Sequence, residues 1–111
     1  MTTYLGNGFS PSMLGQLPIS VVIYKINGEQ FCESIKEDVT NAIGHDSTVR
    51  LVNVLCGTNF IKNRIEIKLN AGDTLYLVAL KDRLPEGKIL TDEEIKNMYA
   101  EGKVDFYEVF L

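Results

Sequence analysis

The residues best suited to do chemistry stand together at Gly44-His45-Asp46-Ser47-Thr48. His45 is the sole histidine of the chain. Imidazole is the side-chain type whose charge changes near neutral pH, so it can give or take a proton there. Asp46 or Ser47 is placed to cap a following helix, whose first N–H groups are available to an anion. A proton donor beside an anion-binding helix start is what phosphoester cleavage needs. The plainer alternative is a polar loop residue in front of an ordinary helix cap. Other chemistries are poorly served. One histidine and scattered carboxylates form no metal-ligand cluster, and a serine nucleophile would lack its G-x-S-x-G elbow.

Hydrophobic periodicity and turn residues give the elements that must position His45. Thr3-Tyr4-Leu5 reads as a short strand entering Gly6-Asn7-Gly8-Phe9-Ser10-Pro11, where Ser10 and Pro11 suit the start of a short helix through Met13 and Leu14. Such a turn can cradle a phosphate or an adenosine edge. The dinucleotide fingerprint is absent, because Pro11 stands where its third glycine belongs. Residues 19–26 (ISVVIYKI) are β-branched and nearly all apolar, which predicts a central strand covered on both faces. Phe31, Ile35, Val39 and Ala42 predict an amphipathic helix, with a break near Glu37 and Asp38, closed by Gly44. A second helix runs from Asp46 to Cys56, with Val49, Val52, Leu55 and Cys56 on one face and Gly57 as its stop.

Residues 64–69 (RIEIKL) alternate polar and apolar, which predicts a strand with Ile65, Ile67 and Leu69 facing the core and Arg64 on the polar phase. Asn70-Ala71-Gly72-Asp73 is a turn, and residues 74–80 (TLYLVAL) return as the partner strand. Residues 81–90 (KDRLPEGKIL) make a polar loop longer than the usual hairpin connection. It carries Arg83 and Glu86, either as a functional loop on a rigid sheet or as a surface ion pair worth under about 1 kcal/mol. Thr91 and Glu94 form a capping box opening a helix through Ile95, Met98 and Tyr99 that stops at Gly102. Residues 103–111 (KVDFYEVFL) are a final strand, able to meet a second subunit if it lies at an edge. The expected architecture is one α/β domain over residues 1–111, a mixed five-stranded sheet flanked by helices.

Composition narrows the function classes. Fifteen acidic against eleven basic residues give a net charge of −4, which argues against a duplex-DNA binder with a basic face. A small anionic ligand needs only a few local donors and is not excluded. Cys32 and Cys56 lack C-x-x-C spacing, and are expected as two buried, unpaired residues in a reducing cytosol. No apolar run reaches the length of a membrane span and the N-terminus does not look like a signal peptide, so a cytoplasmic protein is expected.

Four segments together, YLGNGFS-PSML, IGHDSTVRLVNVLCGT, KNRIEIKL and RLPEGKILTDEEI, resemble the viral anti-CRISPR ring nuclease family in the same order and at similar spacing. The similarity runs from Tyr4 to Phe110. It implies a homodimer that binds cyclic tetra-adenylate, the second messenger of type III CRISPR systems, across its two-fold axis. The expected products are linear di-adenylates ending in a 2′,3′-cyclic phosphate, made without metal or other cofactor. His45 matches the family's catalytic histidine, Arg83 its loop arginine and Glu86 its loop glutamate. Asn7, Ser10 and Arg64 match ligand contacts, with backbone groups expected from Ile67 and Leu90. Ser12 stands where some relatives carry asparagine. The alternative function is a non-catalytic dimer that sequesters a cyclic oligonucleotide or a host defence protein.

Overall fold

The computed structural model describes residues 1–81 and 89–111. Two helices form as their caps and periodicity require. α2 spans Asp46–Cys56 and ends on Gly57, whose φ of 66° is the left-handed conformation that a Cβ disfavours. α3 spans Asp92–Ala100. Thr91 Oγ1 accepts from the Glu94 N–H while Glu94 Oε1 accepts from the Thr91 N–H, both at 3.1 Å. The first expected helix is shorter and earlier than periodicity suggested. α1 covers Gly28–Ser34, opened by a reciprocal pair between Asn27 and Gln30. The break foreseen near Glu37 is real, and beyond it Thr40–Asn41 is a strand, β3.

Strands β1 (Thr3–Gly6), β2 (Val22–Ile26), β4 (Thr74–Leu80) and β5 (Val104–Phe110) join β3 in one mixed sheet ordered β2-β5-β4-β1-β3. β1 is parallel to both β3 and β4, while β5 is antiparallel to β4 and β2. Four strands therefore point one way and β5 points the other.

The five-stranded sheet matches the expectation, but its membership differs. Residues 64–69 form no strand, because β1 occupies the edge of β4 that this segment was expected to fill. The segment is extended and contributes a single bridge, Leu14 to Leu69. Ile67 and Leu69 are buried as expected, whereas Ile65 is 41% exposed. β2 is an edge strand, not a central one, and Val22, Ile23 and Tyr24 are all about half exposed. The final strand, β5, is internal.

The two faces of the sheet carry separate cores, as the alternation of side chains dictates. On one face Leu5, Val78, Val104 and Phe106 pack against Phe31 of α1, Leu51 and Val52 of α2, and Ile95 of α3. On the other, Leu75, Leu77 and Val109 are covered by Ile67, Leu69, Met13 and Leu14. The short helix expected after Pro11 is a single 3-10 turn, Pro11–Met13.

Cys32 and Cys56 are joined in a disulfide, which corrects the expectation of two unpaired cysteines. Packing of α1 against α2 brings their Cα atoms to 5.0 Å across a sequence separation of 24, a proximity invisible to spacing. Among the described residues no helix is long and apolar enough to cross a membrane.

Candidate functional site

Parallel strands deliver their following loops to a common edge, and ligands of open α/β sheets gather outside the carboxyl ends of such strands. Here β1 ends at Gly6, β3 at Asn41 and β4 at Leu80. Asn7, Ser10 and Ser12 follow β1, His45 follows β3, and the stretch carrying Arg83 and Glu86 follows β4. Among the described residues Asn7, Ser10, Ser12 and His45 thus issue from two adjacent strands at one edge. Arg83 and Glu86 themselves lie outside the described residues.

The loop leading to His45 is fastened by a set of asparagine bonds. The buried Asn41 donates from Nδ2 to the Ile61 carbonyl at 2.8 Å and accepts the Ile43 N–H on Oδ1 at 3.0 Å. Asn63 answers from the facing segment: its side chain donates to the Asn41 carbonyl and its N–H to the Ile43 carbonyl, at 2.8 and 2.9 Å. The crossing from β3 to α2 is therefore fastened on both sides. Gly44 is next, and a Cβ there would lie 3.1 Å from Arg64 Cβ and 3.3 Å from Arg64 Cα. Gly44 is thus not a helix stop but the close approach that lets Arg64 sit against the His45 loop.

His45 is itself the N-cap of α2, its carbonyl accepting the Val49 N–H at 3.1 Å. This moves the cap from the expected Asp46 or Ser47. The His45 side chain makes no capping bond and is exposed; among the described residues its ring has no hydrogen-bond partner. The first N–H groups of α2 have no intrahelical acceptor, as at any helix start, and favour negative charge nearby.

A cleft of about 610 Å³ opens here, lined by His45, Asp46, Ser47, Arg50, Lys62 and Leu90 among others. Two of its cations have partners. Arg50 donates from Nε to the Leu90 carbonyl at 3.0 Å and from Nη2 to Asp92 Oδ1 at 2.6 Å. Lys62 Nζ lies 3.5 Å from Asp46 Oδ2. A smaller cleft of about 260 Å³ holds Asn7, Ser12 and Ile67. Ser10 joins it through its hydroxyl, 2.8 Å from that of Ser12. Ala42 lines the small cleft and Gly44 the large one, so residues 42–44, with Arg64 alongside, form the ridge between them.

The expected residues therefore fall in two adjoining groups, His45 with Leu90 and Asn7 with Ser10, Ser12 and Ile67, with Arg64 at the seam. Sequence reasoning missed Arg50 and Lys62. Arg50 had one readable signal: it is the only basic residue in α2, and a lone guanidinium on a largely apolar helix needs acceptors. Lys62, in an irregular segment, gave none. Among the described residues no three His, Cys, Asp or Glu side chains are grouped to hold a metal ion.

A family model described as STIV B116-like matches residues 3–107. An uncharacterized protein of Acidianus filamentous virus 1, ORF116, is 44% identical over 108 residues, covering 96% of this chain and 93% of its own. Protein 26 of a Sulfolobus islandicus filamentous virus, also uncharacterized, is 36% identical over 63 residues, covering 56% of this chain and 53% of its own. The solved structure of B116 from Sulfolobus turreted icosahedral virus superposes with a TM-score of 0.91 at 46% identity, each chain covered in full.

Proposed function

The chain belongs to the STIV B116-like family, whose relatives above come from viruses, and from its site we propose that it is a metal-independent ring nuclease. In this reading it cleaves cyclic tetra-adenylate to linear di-adenylates with 2′,3′-cyclic phosphate ends, and so suppresses type III CRISPR immunity. The observation that carries the proposal is the placing of an exposed histidine at the N-terminus of α2, in a cleft at the carboxyl edge of three parallel strands.

The substrate supplies its own nucleophile. A ribose 2′-hydroxyl attacks the neighbouring phosphorus in line with the P–O5′ bond, loses its proton, and closes the cyclic phosphate as O5′ departs. The protein's work is to hold that line, to meet the charge growing on the phosphoryl oxygens, and to protonate O5′. His45 is the proposed acid, a role that typically contributes about 10²–10⁴-fold. The α2 amides and Arg83 face the anion, and Glu86 orients the imidazole or the hydroxyl. Asn7, Ser10, Ser12 and Arg64, with backbone groups of Ile67 and Leu90, hold the remainder of the ring.

Because the chain carries a net charge of −4, binding a four-fold anionic ring in a homodimer requires the positive groups and helix starts of both subunits to converge on one cleft.

The test is incubation of labelled cyclic tetra-adenylate in EDTA with the wild type and with His45→Ala, products being resolved by chromatography. The proposal expects linear di-adenylate from the wild type and intact ring from the variant. An intact ring co-eluting with the wild type would mean sequestration instead of cleavage. Neither binding nor cleavage would overturn the reading entirely.

A further inference from the structure

Arg50 is half exposed, its side chain 42% accessible, and its partner Asp92 is 67% accessible. Ion pairs so open to water contribute little to folding stability. The core between α2 and α3 is supplied by buried apolar groups, Leu51, Val52 and Ile95, none of which needs Arg50. Its geometry is nonetheless specific. Nε reaches the Leu90 carbonyl and Nη2 reaches Asp92 Oδ1, so one guanidinium grips both neighbours of Thr91. Thr91 is the N-cap of α3 and is locked by its own reciprocal bonds with Glu94. A guanidinium fixes two acceptors at once because its donors are coplanar and rigidly spaced, whereas an ammonium is a point charge on a flexible stem.

The other end of this connection is His45. Arg50 belongs to α2, whose N-cap is His45, and both residues line the same cleft with Ile89 and Leu90. Ile89 is 81% exposed, so apolar packing does little to hold this wall in place. We infer that Arg50 is a positioning residue for the proposed phosphoester cleavage. It clamps the Ile89–Leu90 wall and the start of α3 to the helix that carries His45, and so sets the cleft width at the reacting phosphate. This role rests on the ring-nuclease reading.

The experiment compares wild type, Arg50→Lys and Arg50→Ala in single-turnover and steady-state cleavage of cyclic tetra-adenylate, with thermal melts and amide hydrogen exchange of the same samples. Misplacement of a reacting group by about 1 Å costs on the order of 10²-fold. Arg50→Ala should therefore lose about 10²-fold in kcat with KM little changed. Arg50→Lys should recover only a small part of this, since it restores charge without the fork. Melting temperatures should stay close to the wild type, and exchange should rise at residues 89–92. A rise in KM at unchanged kcat would make Arg50 a substrate contact and overturn the role. So would full rescue by lysine, or exchange at residues 89–92 that does not change. A wild type that does not cleave the ring would sink the functional reading and this role with it. Cleavage by wild type and both variants at one rate would overturn this role alone.

Discussion

Opening the Cys32–Cys56 disulfide should cost more stability than any single side chain at the site. The bond closes a loop with a sequence separation of 24. In the chain-entropy treatment, releasing a loop of that length returns about 3.5 kcal/mol of conformational freedom to the unfolded chain at room temperature. For 111 residues the usual unfolding entropy per residue converts this into a fall in Tm of about 15 °C. The perturbation is best made twice, by a phosphine reductant on the native chain and by Cys32→Ala with Cys56→Ala. Alanine is chosen because Cys56 is only 8% exposed, and serine would place an unpaired hydroxyl there. Urea and thermal melts of oxidised, reduced and double-alanine protein should place the last two together, well below the first. Their m-values should also exceed that of the oxidised form, since an uncrosslinked chain exposes more surface on unfolding. Coincident midpoints for oxidised and reduced protein, with thiol titration proving the reduction, would refute the reasoning. Two titratable thiols in the denatured, unreduced protein would refute the bond itself.

Three further outcomes follow from local geometry. The Tyr76 hydroxyl donates to Glu108 Oε2 at 2.7 Å; burial, then the carboxylate beside it, raise its pKa above 10.0, with the Ser34 hydroxyl acting in the opposite sense. A raised folded-state pKa stabilises fully below about pH 10 and is lost as pH climbs through the folded value. Wild-type Tm should therefore fall more steeply above pH 10 than that of Tyr76→Phe, and parallel curves would contradict the coupling. Thr91→Ala removes the α3 cap seen in the 3.1 Å bond from Glu94 N–H and should cost about 1 kcal/mol in urea melts. Gly44→Ala sets a methyl 3.1 Å from Arg64 Cβ. It should push Arg64 off the His45 loop and weaken ring binding in calorimetry while leaving the melt largely unchanged.

How much of this was readable varies with the kind of signal. α2 and α3 were legible because helix ends carry their own chemistry: Gly57 at one, Thr91 with Glu94 at the other. Alternation in residues 64–69 correctly reported extended backbone with Ile67 and Leu69 inward. It could not report that β1, from the far end of the chain, takes the ladder on β4. The apolar run of β2 was read as burial, yet among the described residues its outer edge carries no neighbouring strand. An apolar run reports β propensity, and periodicity does not encode whether the strand lies at the centre or the edge of its sheet. His45 stood out by its chemistry, but that chemistry left a plain loop residue equally open, and its assigned role came from the family resemblance. Arg64 was placed on the polar phase and is exposed; its close approach to Gly44 was not readable, because what permits it is a missing side chain. The disulfide joins residues of two helices whose meeting depends on the whole fold.

The strand order also dictates when the molecule can fold. Among the described residues β2 pairs with β5 alone, with Val22 opposite Phe110, and β1 sits between β3 and β4, with Leu5 opposite Tyr76. β2, and the β4 side of β1, thus await partners far along the sequence, and such distant pairings are slow to form. Until β4 and β5 are in place, β1 has the two-residue β3 beside it, and α1 and α2 have little sheet to pack on. The final seven-residue strand completes both halves at once. Removal of β5 would therefore leave β2 unpaired and one side of β4 open, and such bare edges invite aggregation.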